Sequence, residues 1–260
     1  MILSANELPE YAKIVGKMAQ HDPFACRIIS LFHSYRPGLA FVDYWLTRDA
    51  LNGDYTGAIA RNGSNFLLLL TDKTDLGEIS SFLRISGASG VIGNGAYPLD
   101  WTGKVTHGAV LECHTITEDD EKVKVITPDI KAAYHLIVSC EGEGFQPPEF
   151  DSFYVDVNHK LRHHTMRLCG IEDNGKLAAL AMTVAESETA AVLGAVACAP
   201  EYRRKGYGSI VVKHLTNALV AENKRVYLHR AQNANVRFYQ KLGFAECGQW
   251  REYHIRQVIL

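Results

Sequence analysis

The chemically most informative segment is Val196-Ala197-Cys198-Ala199-Pro200-Glu201-Tyr202-Arg203-Arg204-Lys205-Gly206-Tyr207-Gly208-Ser209, where an apolar run meets a helical run through a cationic, glycine-bearing loop. Such a junction is an anion site. The first N–H groups of a helix lack intrahelical partners and the dipole adds partial positive charge there, so main chain alone can hold a pyrophosphate. Gly206 and Gly208 let that backbone come close, and Arg203, Arg204 and Lys205 add charge around it. Two other phosphate loops are excluded. A Walker loop needs Gly-Lys-Ser/Thr after a longer spacing, and a dinucleotide fingerprint needs a third Gly or Ala where Val211 stands. The glycine pattern taken alone fits a tight turn with a solvated basic surface equally well.

A second run follows, Asn233-Ala234-Asn235-Val236-Arg237-Phe238-Tyr239-Gln240-Lys241-Leu242-Gly243-Phe244. With it, Arg203-x-x-Gly206-x-Gly208 resembles the coenzyme A loop of GNAT acetyltransferases, whose pattern is Gln/Arg-x-x-Gly-x-Gly/Ala, and the later run resembles that family's second motif. The resemblance covers roughly the last half of the chain. It implies an acyltransferase that passes an acetyl group from acetyl-coenzyme A to a primary amine by direct attack on the thioester. The amides of Arg204, Lys205, Gly206, Tyr207, Gly208 and Ser209 would hold the pyrophosphate. Val196, Ala197 and Cys198 would form the strand along which the pantetheine lies as an extra strand, in a splay against residues 225–228. A strand amide near Val196 to Cys198 would stabilise charge on the thioester oxygen. Asn235 would belong to the cofactor contacts, and Tyr239 would supply a proton to the departing thiolate; alone, Tyr239 reads as a packed helix aromatic.

The general base is where this chain departs from part of that family. Some members carry a glutamate where Val192 stands here, and residues 190–199 hold no carboxylate. Glu186 and Glu188 are nearby, with a solvated strand connection the favoured account, and the amine can instead arrive deprotonated or lose its proton through water. The missing base keeps open a rival reading, a non-catalytic acyl-coenzyme A sensor or interaction module; transfer of a longer acyl group is another. His159, His163 and His164 cluster at a helix end, but the Glu of a His-Glu-x-x-His site is missing, so no metal is expected and a role beside the acceptor is the better alternative. Cys198 sits in an apolar strand with no base assigned, which favours packing over covalent catalysis.

The elements that must position these groups follow from periodicity. In the second half, helices are expected over 130–139 and 149–160, strands over 165–172, 177–184 and 190–198, a helix over 209–222, a strand over 225–228, a helix over 235–242 and a last strand over 249–255. Glu141-Gly142-Glu143-Gly144 breaks the first helix, and Pro147-Pro148 precedes the second. This order agrees with the GNAT fold, a mixed, mainly antiparallel sheet flanked by helices. The first half reads as helices over 8–19 and 24–32, strands over 41–46, 56–61 and 65–70 with an Asn62-Gly63 hairpin turn, a helix over 75–85 and strands over 89–92 and 105–117. Its Gly87, Gly90, Gly93 and Gly95 read as turn glycines, its Phe41 to Leu46 and Trp101 aromatics as core, and the run Glu118-Asp119-Asp120-Glu121-Lys122 as a solvated turn. The class is therefore α/β (α+β) in two domains: 1–125, an α/β domain for which a divergent GNAT-like fold is one reading, and 126–260, the acetyl-coenzyme A domain.

Composition agrees with an ordinary globular chain. Of 260 residues, 47% are hydrophobic and 22% charged, with 27 Lys plus Arg against 29 Asp plus Glu. A net charge of −2 gives no electrostatic case for nucleic acid, and no apolar stretch is long enough to span a bilayer. Six scattered cysteines without a Cys-x-x-Cys pair, and an N-terminus unlike a signal peptide, point to a reduced, cytoplasmic protein. The expected partner is a small-molecule or peptide amine; a homodimer is the commonest symmetric assembly.

Overall fold

A computed structural model describes residues 1–116, 123–142 and 147–254. The charged run at 118–122 and the Glu143-Gly144 break lie outside the described residues. In chain order the elements are β1 (Ile2–Ser4), α1 (Tyr11–Met18), α2 (Pro23–Ser34), β2 (Val42–Arg48), β3 (Tyr55–Asn62), β4 (Asn65–Leu70), α3 (Leu76–Ile85), β5 (Gly90–Asn94) and β6 (Lys104–Cys113). They continue as α4 (Ile130–Ser139), α5 (Phe150–Arg162), β7 (Leu168–Asp173), β8 (Lys176–Glu186), β9 (Ala190–Cys198), α6 (Tyr207–Ala221), β10 (Arg225–Ala231), α7 (Val236–Lys241) and β11 (Ala245–His254).

Two compact units result. Unit 1 comprises Met1–Leu111, His229–Ala234 and the chain from Glu246 onward; unit 2 comprises Glu112–Leu228 and Asn235–Ala245. This partition differs from a single cut at 125/126, because the chain returns to unit 1 twice. The physical reason for the later return is strand pairing: Trp250 to His254 of β11 run antiparallel to Asn94 to Gly90 of β5.

In unit 1, β1 to β4 pair antiparallel and β5 lies parallel to β4. Alternation along β3 sends Ala58 and Ala60 to one face, with Tyr11 and Val15 of α1 and Ile28 and Leu31 of α2, while Ile59 joins Ile79 and Leu83 of α3 on the other. Buried phenols are tied down: Tyr11 donates to the Ile59 carbonyl (2.8 Å) and Tyr44 to that of Tyr35 (2.8 Å). The hairpin turn lies one residue later than expected. Asn62 pairs with Asn65, leaving Gly63 and Ser64 as the loop, and of these only Gly63 has positive φ (63°). The glycine cluster also differs from the turn reading. Gly93 lies within β5 and Gly95 just after it, where a Cβ would come 3.2 Å from Leu68 Cβ and 2.9 Å from Gln249 Cβ, so both permit close strand approach.

Unit 2 repeats the order helix, helix, three antiparallel strands, helix, parallel strand. Asp129 and Glu149 cap α4 and α5 by accepting two backbone amides each. Leu136 and Ile137 of α4 and Phe153 and Val157 of α5 cover Leu168, Ala178, Leu180 and Met182, so residues between these on β8 face the other way, where α6 packs. Burying such side chains contributes about 1.5–3 kcal/mol each and fixes the strands that carry the site.

Candidate active site

The site begins where β9 loses a neighbour. Residues 190–193 register with 225–228 of β10, and that register ends at Leu193 and Leu228. On its other edge β9 stays paired with β8, as far as Ala197 against Leu180 and Cys198 against Ala179. Between these stretches the β8 register shifts and Ala195 takes φ 44°, a bulge that re-aims the strand end. Beyond it Ala197 is buried under α4 and α5, whereas Val196 and Cys198 remain partly exposed. The Cys198 carbonyl is already engaged, accepting from Arg203 Nε (3.2 Å) and from the Cys140 thiol (3.5 Å). That carbonyl therefore anchors the loop instead of standing open for a ligand.

The loop passes through a 3-10 turn (Pro200–Tyr202), then Arg204 (φ 69°) and Gly206 (φ 88°), into α6. Gly206 is the N-cap residue and offers no capping side chain. Among the described residues, the amides of Arg204, Lys205, Gly206, Tyr207 and Gly208 have no hydrogen-bond partner, whereas that of Ser209 donates to the Gly206 carbonyl (2.9 Å). Ser209 therefore does not offer its amide as expected. A Cβ built at Gly206 would meet nothing within 4 Å, and one at Gly208 only Phe238 Cζ at 3.9 Å. Five bare amides around an open, cationic turn fit a diphosphate.

The cations divide their duties. Lys205 Nζ lies 3.3 Å from Asp173 Oδ2 and 4.8 Å above the Tyr202 ring, and the Tyr207 hydroxyl donates to the same Asp173 oxygen (3.0 Å). That hydrogen bond is the main reason the Tyr207 phenol titrates above its ordinary value. Arg203 is turned to Cys198, so Arg204, exposed and without a side-chain partner among the described residues, is the cation left for an anion. Nothing local in the sequence marks Asp173 for this role, because Lys205 and Tyr207 lie more than thirty residues away. Asn235 (φ 53°) is the N-cap residue of α7 and its carbonyl accepts from the Tyr239 amide (3.2 Å). Tyr239 is half-buried between Phe238 (5.0 Å between centroids) and Phe244 (6.0 Å), on the helix whose Phe238 approaches Gly208.

Comparison with known proteins gives the family. The model of the acetyltransferase (GNAT) family matches residues 130–244. The [ribosomal protein bS18]-alanine N-acetyltransferase of Escherichia coli (strain K12) is 30% identical over 131 residues, 49% of this chain and 82% of that protein. The chain belongs to the GNAT acetyltransferase family. Likeness of fold extends over nearly the whole chain. A tandem GNAT protein from the clavulanic acid biosynthesis pathway superposes with TM-score 0.60 at 12% identity, covering 98% of each chain. A GNAT-family acetyltransferase from Colwellia psychrerythraea does so with TM-score 0.54 at 15% identity, covering 98% of this chain and 100% of that one.

In this GNAT acyltransferase Glu186 is neither solvated nor near the loop. Its carboxylate, 2% exposed, accepts from Thr183 Oγ1 (2.9 Å), Arg167 (2.9 Å) and Lys224 (3.0 Å), and Arg167 also binds Glu222 (2.6 Å). Glu186 pairs with Ala191, five strand positions from Val196, about 17 Å along the strand. Charge pairing holds it there, since an unpaired buried carboxylate would cost several kcal/mol. Glu188 is exposed. His159 and His163 lie ring to ring at 4.3 Å, and His164 takes φ 55° just past α5. Among the described residues no three His, Cys, Asp or Glu side chains group to hold a metal. Cys198 is weakly acidic, its thiol raised mainly by burial, which disfavours a nucleophilic thiolate.

Proposed function

We propose that unit 2 binds acetyl-coenzyme A along β9 and the loop from Arg203 to Gly208, and passes the acetyl group directly to a primary amine. The observation that carries this reading is the run of five unpartnered amides, Arg204 to Gly208, opening a 15-residue helix beside a strand that has lost one neighbour. The diphosphate takes those amides, with Arg204 adding charge. The pantetheine follows the edge of residues 194–198, with Val196 and Ala197 at its reactive end and Cys198, held by Arg203, keeping the edge straight.

The amine nitrogen attacks the thioester carbonyl carbon, the new C–N bond forms and the C–S bond breaks. Tyr239 donates toward the departing sulfur. An ordinary phenol is a weaker acid than an ordinary thiol by about 1.5 pKa units, so complete transfer is uphill by roughly 2 kcal/mol; the hydrogen bond to sulfur carries most of the benefit. With Glu186 locked in ion pairs, the ammonium proton leaves through water. Asn235 positions Tyr239 through the start of α7. The Escherichia coli relative is named for acetylating an alanine of a ribosomal protein, which makes peptide N-terminal amines the first acceptors to try, ahead of small-molecule amines.

Unit 1, in this reading, is a GNAT-type unit without a donor site. Six cysteines, none in a disulfide, suit a reducing setting. Calorimetric titration with acetyl-coenzyme A is expected to give one site per chain in the wild type, lost in Gly208→Val. No saturable binding, or equal binding by the variant, would overturn the assignment.

A further inference from the structure

One residue of the turn between β7 and β8 gathers three side chains of the donor loop. Asp173 ends β7 and pairs with Lys176, which leaves Asn174 (φ 52°) and Gly175 (φ 72°) as a two-residue hairpin turn. Positive φ at both central residues matches the twist of the strands, so the turn is a stiff support. From it Asp173 Oδ2 accepts from the Tyr207 hydroxyl (3.0 Å) and from Lys205 Nζ (3.3 Å), and the Asp173 carbonyl accepts from the Tyr202 hydroxyl (3.2 Å). The other carboxylate oxygen takes Asn174 Nδ2 (2.9 Å). Lys205 Nζ also stands over the Tyr202 and Tyr207 rings, 4.8 and 6.0 Å from their centroids.

The backbone between these side chains has two left-handed residues, Arg204 (φ 69°) and Gly206 (φ 88°), and Gly206 caps α6 without a side chain. A glycine-bearing loop loses conformational freedom whenever it orders around a ligand. Lys205 and Tyr207 flank Gly206, so tying both to one carboxylate sets the backbone between them in advance. The Tyr207 phenol, held above its ordinary value mainly by that hydrogen bond, remains a donor at neutral pH. By charge alone a carboxylate beside an anion loop opposes the ligand, so what Asp173 contributes there is geometry.

We propose that Asp173 is a positioning residue for donor binding, holding Lys205 and Tyr207 so that the amides around Gly206 are set for a diphosphate before it arrives. The proposal rests on the donor assignment made above.

Calorimetric titration of the full chain with acetyl-coenzyme A tests it in the wild type, Asp173→Ala, Asp173→Asn and Tyr207→Phe. Asp173→Ala removes the side-chain acceptors and should raise Kd about tenfold. Asp173→Asn drops the charge but keeps an oxygen for the Tyr207 hydroxyl, and should restore Kd to within about threefold of the wild type. Tyr207→Phe removes one hydroxyl and carries the test if Asp173→Ala fails to fold; it should raise Kd about threefold, and adding it to Asp173→Ala should change little. Without donor, the amides of Ser209 and Ile210, which donate to the Gly206 carbonyl (2.9 and 3.1 Å), should exchange with solvent faster in Asp173→Ala. Unchanged Kd or unchanged exchange in the folded Asp173→Ala, an Asp173→Asn as weak as Asp173→Ala, or tighter binding in either Asp173 variant would each overturn the proposal. Failure of the wild type to bind, or equal binding by Gly208→Val, would bring down the donor assignment and this role with it. Binding lost in Gly208→Val but untouched in Asp173→Ala would remove the positioning role alone.

Discussion

At the same point in their element order, the two units turn from strand to helix in opposite ways. In unit 1 the loop between β4 and α3 satisfies itself: Asp75 accepts the amides of Gly77 and Glu78 (3.0 Å each), Thr74 Oγ1 accepts that of Thr71 (2.9 Å), and the Thr71 hydroxyl donates to the Thr56 carbonyl (2.7 Å). In unit 2 the loop between β9 and α6 leaves five amides bare and caps the helix with a glycine. Asp72 and Asp75 stand in the first loop, Arg203 and Arg204 in the second. One fold thus supports a loop closed on itself and a loop whose amides are left open. Topology alone does not distinguish them; the cap residue, the loop hydroxyls and the loop charges together do.

The largest test of this contrast is Gly208→Val, which places a branched side chain at one of the bare amides, beside Phe238. It should lower kcat/KM for acetyl-coenzyme A about 100-fold, measured by thiol release; a change under threefold would mean that the loop does not carry the donor. Tyr239→Phe should lower kcat about 10- to 100-fold while the calorimetric Kd stays within twofold, separating chemistry from binding on the same unit. Asp75→Ala removes the cap of the closed loop. It should cost about 1 kcal/mol in urea unfolding, yet the acetyl-coenzyme A stoichiometry should remain one; a second site would show that the cap alone had closed unit 1.

The smallest effect is electrostatic. Arg167 hydrogen-bonds Glu222 and holds its pKa at about 2, below the ordinary 4.5. The folded-state value is depressed, so the contribution is complete above pH 4.5 and is lost as pH falls toward 2. Because Glu222 is 44% exposed, Glu222→Gln should change stability at pH 7 by less than about 1 kcal/mol and flatten the dependence of Tm on pH in that window. An unchanged acid profile would show that the ion cluster beside β8 is not coupled to unfolding of unit 2.

Local pattern made much of this legible. The bounds of α4 and β9 agree with expectation because each apolar run is closed by its own stop signal, Cys140-Glu141-Gly142 after the helix and Pro200 after the strand. The two-glycine loop and the Tyr239 run were readable for the same reason, since each is contiguous. What escaped depends on residues far apart in the chain. Nothing in Gly194-Ala195-Val196 announces a bulge, because it arises from a register shift against β8. Glu186 reads as a surface carboxylate until the fold brings Arg167 and Lys224 to it, and the role of Asp173 depends on Lys205 and Tyr207, distant in the chain. The return of β11 to unit 1 depends on β5, more than a hundred residues earlier.

Gly206 turns at φ 88° where the Cβ it lacks would touch nothing. The surrounding protein would accommodate a side chain; the left-handed backbone, at about 1–2 kcal/mol, would resist one only mildly compared with the 5–15 kcal/mol that typically holds a domain together. In genetic terms, every non-synonymous single-base change in a glycine codon that does not end the chain installs a side chain at this position. A side chain can therefore be gained at this position in one mutational step in a chain that still folds.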